Sequence, residues 1–287
     1  MKIKFYTPSY VASEDVFGAA TFGFVGAENE RASNAVELPH ELEGDMVCGT
    51  YEECLESIEA LPRKDWQVGI VLFGNAGGEN AFLRELSARV RIPLVGGGAA
   101  ICPETGKRAL LTGHGQAAVL LVCDDRYDFE VERENIHHDI LGEHEITFAD
   151  PRRIDAIDGE QPCVWLAREK ASLGLDEGDF EHLTLADGQG NNAHLSLVDG
   201  SICSGRDLEK KMYLRYVSPE SVQERMQSFY DDENAIVFGC AGLRGILTEN
   251  MKARGVGLFL FGEVCTGEGK SEFANLMLSK LRILPKK

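Results

Sequence analysis

Short apolar runs that alternate with amphipathic helical segments are the feature that most constrains the fold of this 287-residue chain. Residues 68–73 form a continuous apolar run, VGIVLF, as expected of a strand that is buried on both faces. Cys54 and Ile58 before the run, and Phe82 and Leu86 after it, recur at helical spacing. The first half therefore predicts alternating strands and helices, which is typical of an α/β fold.

The second half mixes predicted hairpins with helices. Ser218 and Pro219 mark a helix start, since serine caps the first turn and proline fits its first position. Strands are predicted over residues 183–185, 193–198, 212–217, 235–238 and 256–261, with a helix around 243–247. We expect two mixed α/β parts with hairpins, and their descent from one duplicated unit is a hypothesis.

The boundary between the parts is expected in a polar stretch over residues 129–151. This places one part over residues 1–145 and the other over 146–287. His137, His138 and Asp139 in this stretch, with His144 nearby, offer metal-ligand chemistry, while solvated linker histidines are the favoured alternative. No metal and no cofactor is predicted.

Charge and cysteine usage narrow the class of partner and the compartment. The formal net charge of −18 argues against binding to nucleic acid or to an anionic membrane surface. The eight cysteines contain no Cys-x-x-Cys pair, so neither a zinc motif nor a redox motif is present. No targeting segment is recognised, and the longest apolar runs are only strand-sized, so a cytoplasmic protein with reduced thiols is expected.

Three apolar strands end in Phe-Gly followed by a residue that can form hydrogen bonds or react. These residues are Asn75, Cys240 and Glu263, in the segments VLFGN, IVFGC and LFLFGE. Ligands of α/β sheets bind at the carboxyl ends of strands, so the pattern predicts a ligand-binding edge. The alternative is that Phe-Gly simply ends apolar strands.

The sequence Gly269-Lys270-Ser271 resembles the end of a nucleotide-binding P-loop. A P-loop places its first glycine five residues before the second, and that position is Val264. Glu263 and Glu268 also place negative charge where phosphates would lie. An exposed loop with a solvated Lys270 is therefore expected in place of a nucleotide site.

Several short motifs, taken in order, resemble the FIST family, a two-part sensory module of bacterial signalling proteins that also occurs in eukaryotic F-box proteins. The motifs are PLVGGGA at 93–99, RIDAIDGEQP at 153–162, FGCAG at 238–242, FGEV at 261–264, FAN at 273–275 and an apolar tail at 276–283. The chain departs from the pattern at Arg244, which comes one residue late, and at Ala274, where the family usually has histidine.

The resemblance implies FIST N-like and FIST C-like domains and a role in signal transduction. Such a protein would bind a small molecule, with amino acids or their derivatives the suggested class, and would pass the signal to a protein partner. It implies no established reaction, and it places Asn275 among the ligand-binding residues.

The chemistry of Cys240, Arg244 and Glu263 allows several roles. Glu263 and Arg244 could hold the amine and the carboxylate of a zwitterion, or they could pair with each other. Cys240 is the best candidate nucleophile, because a following helix and Arg244 would stabilise its thiolate, although no histidine is tied to it by a motif.

In the first half, Asn75 and Glu79 offer either ligand contacts or helix capping. Gly97 and the glycines on either side of it would let a ligand or the other part approach, or would form a plain turn. The chain as a whole thus suggests a small-molecule sensor. The alternatives are an enzyme that uses Cys240, and a protein-interaction adaptor with an exposed apolar patch and no closed pocket.

Overall fold

The computed structural model describes most of the chain after residue 35 and short strands before it. The described residues are 2–6, 16–17, 22–25, 30–31, 35–62, 65–74, 77–99, 116–176, 181–240, 242–243, 256–260, 262–267 and 270–287. Side chains are described from residue 42 onward, except at 99 and 256–259. Within these ranges, no helix has the length and apolarity that a membrane crossing requires.

The described residues form an α/β fold with four α-helices and twenty-two strands. The helices are α1 (Tyr51–Ala60), α2 (Glu79–Val90), α3 (Pro162–Leu173) and α4 (Pro219–Tyr230). The strands up to the middle of the chain are β1 (Lys2–Tyr6), β2 (Val16–Phe17), β3 (Phe22–Val25), β4 (Glu30–Arg31), β5 (Ala35–Glu41), β6 (Gly44–Thr50), β7 (Val68–Gly74), β8 (Leu94–Ala99), β9 (Gln116–Val122), β10 (Tyr127–Glu134) and β11 (Asp139–Thr147). The remaining strands are β12 (Ala156–Ile157), β13 (Leu183–Ala186), β14 (Asn192–Ala193), β15 (Leu195–Val198), β16 (Ser201–Ser204), β17 (Lys211–Tyr216), β18 (Ala235–Cys240), β19 (Val256–Leu260), β20 (Glu263–Gly267), β21 (Lys270–Ala274) and β22 (Leu278–Pro285).

Helix α4 begins where the sequence predicts. The Ser218 hydroxyl accepts a hydrogen bond from the backbone N–H of Ser221 at 3.2 Å, and Pro219 occupies the first helical position. Helix α1 begins with a capping box, in which Thr50 and Glu53 each accept a hydrogen bond from the other's backbone N–H. Local side-chain chemistry thus fixes both starts.

The first six-stranded sheet has the order β21-β20-β8-β7-β9-β6. The alternative that the glycines at 96–98 form a plain turn is wrong, because strand β8 runs through them to Ala99. Gly97 pairs with Glu263 of β20, and a Cβ added at Gly97 would collide with the carbonyl oxygen of Gly262. Glycine therefore lets the two strands approach.

The second six-stranded sheet has the order β10-β22-β18-β19-β3-β4. Strands β18 and β19 are parallel, β22 is antiparallel to β18, and β10 is antiparallel to β22. The first sheet repeats these three relations: β7 and β8 are parallel, β9 is antiparallel to β7, and β6 is antiparallel to β9. Two duplicated units would have this topology, and the descent of both from one unit stays a prediction.

The interpretation of residues 129–151 as a polar linker is wrong. They contribute to strands β10 and β11, and β10 pairs along its whole length with the C-terminal strand β22. Strand β11 opens a smaller sheet with the order β12-β11-β17-β13-β14, and β15 and β16 pair with each other beside it. The expected boundary between residues 145 and 146 falls inside β11, and the division into two domains stays a prediction.

The main core lies between the two six-stranded sheets. Along β7, Ile70 and Leu72 contact residues of the second sheet such as Phe238. Val71 and Phe73 point to the opposite face, where α1 and α2 pack. Helix α4 covers the outer face of the second sheet. The layers therefore run helix, sheet, sheet, helix, with apolar side chains at each contact.

Each large sheet is extended by a hairpin from the other half of the chain. The hairpin of β20 and β21 joins the first sheet through β8, and the hairpin of β3 and β4 joins the second sheet through β19. The segment with the Gly-Glu and Gly-Lys-Ser motifs thereby lies beside α2 of the first half.

Candidate functional site

Cys240 and Glu263 lie together at the carboxyl ends of the neighbouring strands β18 and β19. Cys240 is the last residue of β18 and pairs with Leu260, the last residue of β19, while Glu263 opens β20. Both side chains are buried, and that of Glu263 has no exposed surface. The structure thus brings two of the predicted site residues into one apolar environment.

The Glu263 carboxyl group is buried without a charged partner among the described residues. Burial raises its pKa well above the usual value, while the backbone N–H of Met277 and the Cys240 thiol oppose the rise by hydrogen bonding. The N–H of Met277 donates to Oε2 at 3.4 Å, and Oε1 has no hydrogen-bond partner among the residues that the structure describes. A neutral, protonated Glu263 is what this environment favours.

The Cys240 thiol is held in its neutral form. Burial raises its pKa most and an ionised Glu263 would raise it further, while hydrogen bonds from the backbone N–H groups of Leu276, Gly242 and Gly262 oppose the rise. Three converging N–H groups resemble an anion-binding arrangement. The thiol is nevertheless a poor nucleophile in this state, because the thiolate is the reactive form.

A strained turn positions two of the N–H groups around this pair. Leu276 has a φ of 51°, in the left-handed region that residues other than glycine rarely adopt. Its N–H lowers the pKa of Cys240, and the next N–H, of Met277, donates to Glu263 Oε2 at 3.4 Å. Strain of this kind costs about 1–3 kcal/mol and persists only where the surrounding structure holds it.

Asn275 and His194 border the same turn. The Asn275 side-chain oxygen accepts a hydrogen bond from the backbone N–H of His194 at 3.4 Å. The His194 ring lies against Gly242, where an added Cβ would be 3.4 Å from Nε2, and burial lowers the pKa of this histidine. His194 lies outside every motif that the sequence analysis used, so that analysis missed it.

The other predicted site residues have different outcomes. Asn75 and Arg244 lie outside the described residues, so their predicted roles stay predictions. Gly97 is a packing position between β8 and β20. Glu79 is buried at the start of α2, where its carboxylate accepts hydrogen bonds from the Gly77 N–H at 2.8 Å and from Arg152 at 3.0 Å. Glu79 therefore has structural partners in the loop before α2 and in Arg152, and its role in ligand binding stays a prediction.

The histidines at 137, 138 and 144 have protein partners. The expectation of solvated histidines is wrong for His137, which is fully buried and contacts the Glu181 carbonyl oxygen at 2.8 Å through Nε2. His138 contacts Glu134, and His144 contacts Asp158. In the part of the chain that the structure describes, no cluster of three or more potential ligands is arranged for a metal ion.

Lys270 and Ser271 of the Gly-Lys-Ser motif belong to a β-hairpin. Lys270 and Ser271 begin strand β21, and Gly267 pairs with Lys270 across the turn. A P-loop instead continues into a helix whose N–H groups hold the phosphates. The structure therefore contradicts the P-loop alternative, and Lys270 lines a cavity.

This cavity has a volume of about 520 Å³ and lies between α2, residues 187–209 and β21. Charged side chains of both signs dominate its lining: Arg84, Asp187, Arg206, Glu209, Lys270 and Glu272. Residues from both halves of the chain contribute, because the β20–β21 hairpin crosses to the first sheet.

The floor of the cavity is a buried ion pair. Arg206 Nη1 donates to Asp187 Oδ2 at 2.8 Å and to the Asn191 carbonyl oxygen at 2.9 Å. Burial alone would raise the pKa of Asp187, but the Arg206 charge and hydrogen bonds from Asn191 and Arg206 lower it. Burial and then the Asp187 charge raise the pKa of Glu209. Glu272 accepts a hydrogen bond from the Asn191 amide.

Sequence reasoning missed most of this cavity. Asp187 and Asn191 lie in the segment DGQGN at 187–191, whose residue types are typical of turns. Arg84, Arg206 and Glu209 come from separate segments and share no local pattern.

Comparisons with known proteins leave the family open. The chain matched no protein-family model, and a search of curated proteins returned no match. The FIST resemblance therefore stays a prediction.

Proposed function

We propose that this protein is a sensory protein that binds a small polar metabolite in the charged cavity between α2 and the β20–β21 hairpin. The observation that carries the proposal is a cavity of about 520 Å³ whose lining combines three cations and three carboxyl groups. Small-molecule sites usually occupy about 300–1,000 Å³. A lining this polar favours a zwitterion or another charged metabolite over an apolar ligand, and amino acids are the first class to test.

The position of the cavity suggests how binding would be sensed. Arg84 belongs to α2 of the first half, while Lys270 belongs to a hairpin of the second half. A ligand that contacts both would stabilise their present arrangement, because binding shifts an equilibrium toward the state that binds better. A signalling partner would read that state, and this step remains part of the proposal.

A thermal-shift panel of amino acids, small carboxylates, and ATP and GTP with magnesium tests the proposal. A ligand at one hundred times its Kd stabilises the fold by about 2.7 kcal/mol. We expect a shift with an amino acid or carboxylate that Lys270→Gln abolishes and that Arg168→Gln, an exposed arginine on α3, leaves unchanged. A shift that survives Lys270→Gln, or no shift with any compound, would contradict the proposal.

An enzyme that uses Cys240 stays the second candidate, because three backbone N–H groups and Glu263 surround the thiol. The neutral thiol argues against it, so we expect iodoacetamide at pH 7 to modify the exposed Cys48 well before Cys240. Intact-mass and peptide mapping would measure both rates. Faster modification of Cys240 would favour the enzyme over the sensor.

The adaptor alternative also stays a hypothesis. Large exposed apolar side chains include Leu197 and Val198 on the β15–β16 hairpin. The charged cavity favours a small ligand over a protein surface as the primary partner.

A further inference from the structure

A second cavity adjoins the first across the β20–β21 hairpin. Its volume is about 340 Å³, and it shares Gln189, Lys270 and Glu272 with the larger cavity. Arg133 and Gly267 belong to the smaller cavity alone. Lys270 thus lies between two cavities, of which the larger is lined by Arg84 and Arg206 and the smaller by Arg133.

Arg133 packs against Gly267 in the smaller cavity. A Cβ added at Gly267 would lie 2.7 Å from Cζ of the guanidinium group and 3.0 Å from its Nη1, so the guanidinium group lies close against the glycine backbone. Its hydrogen bonds, to Asn191 Oδ1 and to the Gln189 carbonyl oxygen, are both 3.5 Å long. These contacts lie at the outer limit of hydrogen bonding and leave most of the donor capacity of Arg133 for another acceptor.

Three cations around the two cavities have no carboxylate partner among the described residues. They are Arg84, Arg133 and Lys270, none of which forms an ion pair there, in a chain with 47 acidic and 29 basic residues. Two of the three carboxyl groups of the larger cavity are engaged elsewhere, since Asp187 pairs with Arg206 and Glu272 accepts from Asn191. Cations that converge on two adjoining cavities attract anions locally, even in a protein with a net charge of −18.

We propose that the two cavities form one site for a small molecule with two anionic groups, each a carboxylate or a phosphate. One group lies against Arg84 and Lys270 in the larger cavity, and the other lies against Arg133 and Lys270 in the smaller one. Arginine suits this role because its planar donors can hold a carboxylate or phosphate through two parallel hydrogen bonds. This inference rests on the proposed function and narrows the class of ligand.

Calorimetric titration with matched anions tests the inference. Succinate and glutarate carry two carboxylates, 2-phosphoglycolate carries one carboxylate and one phosphate, and acetate and inorganic phosphate are the single-group controls. We expect at least one two-group probe to bind tenfold or more tightly than both controls, and its affinity to fall as the salt concentration rises. If succinate or glutarate binds and 2-phosphoglycolate does not, both anionic groups of the ligand are carboxylates. If only 2-phosphoglycolate binds, one of the groups is a phosphate.

Variants separate the inference from the proposed function. Arg133→Gln and Arg84→Gln should each lower the affinity for the two-group probe tenfold or more, while Arg168→Gln should leave this affinity unchanged. Arg84 and Arg133 are exposed, so circular dichroism should show an unchanged fold. If Arg133→Gln has no effect, or two groups bind no better than one, the inference is overturned. If, in that case, Lys270→Gln weakens the binding of another ligand of the panel, the proposed function stands. If no ligand of the panel depends on Lys270, both fail.

Discussion

Replacing Glu263 by glutamine tests whether this buried carboxyl group is neutral in the folded protein. Glutamine keeps nearly the same shape and cannot ionise. Burial raises the pKa of Glu263 well above its usual value, so between the unfolded value of about 4.3 and the raised folded value the folded state binds more protons than the unfolded state. The free energy of unfolding of the wild type must therefore fall as the pH rises through that window.

The magnitude follows from proton linkage. One proton of difference changes the free energy of unfolding by about 1.4 kcal/mol per pH unit. Between pH 5.5 and 7.5, Glu263→Gln should gain up to about 2.7 kcal/mol of stability relative to the wild type. The Cys240 thiol stays protonated over this range because its pKa is also raised, so it does not add to the difference.

Urea denaturation at pH 5.5, 6.5 and 7.5 would measure this difference, with Glu56→Gln, an exposed position on α1, as the matched control. The free energy of unfolding of the control should differ from that of the wild type by the same amount at all three pH values. A constant difference for Glu263→Gln as well would refute the reasoning. That result would instead support an ionised Glu263 with a cationic partner, such as the pairing with Arg244 that the sequence left open.

Three further predictions concern stability, each measured by urea denaturation. Burial lowers the pKa of His137 to about 3. The free energy of unfolding of the wild type should therefore fall by up to about 1.4 kcal/mol per pH unit as the pH drops from about 6.5 toward that value, and His137→Gln should remove this dependence. An equal pH dependence in both proteins would contradict the prediction. Arg206→Ala leaves the Asp187 carboxylate buried without its cation and should lower the free energy of unfolding by about 3–5 kcal/mol. Adding Asp187→Asn should recover part of this loss. A loss under about 1 kcal/mol would refute the buried pair. Gly97→Ala should lower the free energy of unfolding by at least about 1–3 kcal/mol, because the added methyl group meets a backbone carbonyl just before β20. Gly188→Ala, where the added methyl group has open space, should lower it far less. Equal losses would argue against the close approach of the two strands.

Elements fixed by local signals could be predicted from the sequence. Strand β7 follows from its continuous apolar run, and α4 follows from its Ser-Pro start and apolar face. Strand β10 carried a usable signal as well, since Tyr127, Phe129 and Val131 alternate with acidic residues. The polar character of residues 129–151 hid that alternation, because β10 is only partly buried along its length.

Features set by distant contacts could not be predicted. The glycines of β8 disfavour a strand by themselves, and only the approach of β20 explains why Gly97 is there. The rule that ligands bind at strand ends led to Cys240 and Glu263, and the structure places these two residues together, while their ligand-binding role and that of Asn275 stay predictions. The charged cavity depends on a hairpin crossing to the other sheet, and no local pattern records that pairing.

A crystal structure with the panel compound that gives the largest thermal shift tests the central claim most directly. The account predicts ligand density in the charged cavity, between Arg84 of α2 and Lys270 of β21, above the Asp187–Arg206 pair. Density beside Cys240 and Glu263, with the charged cavity empty, would contradict it.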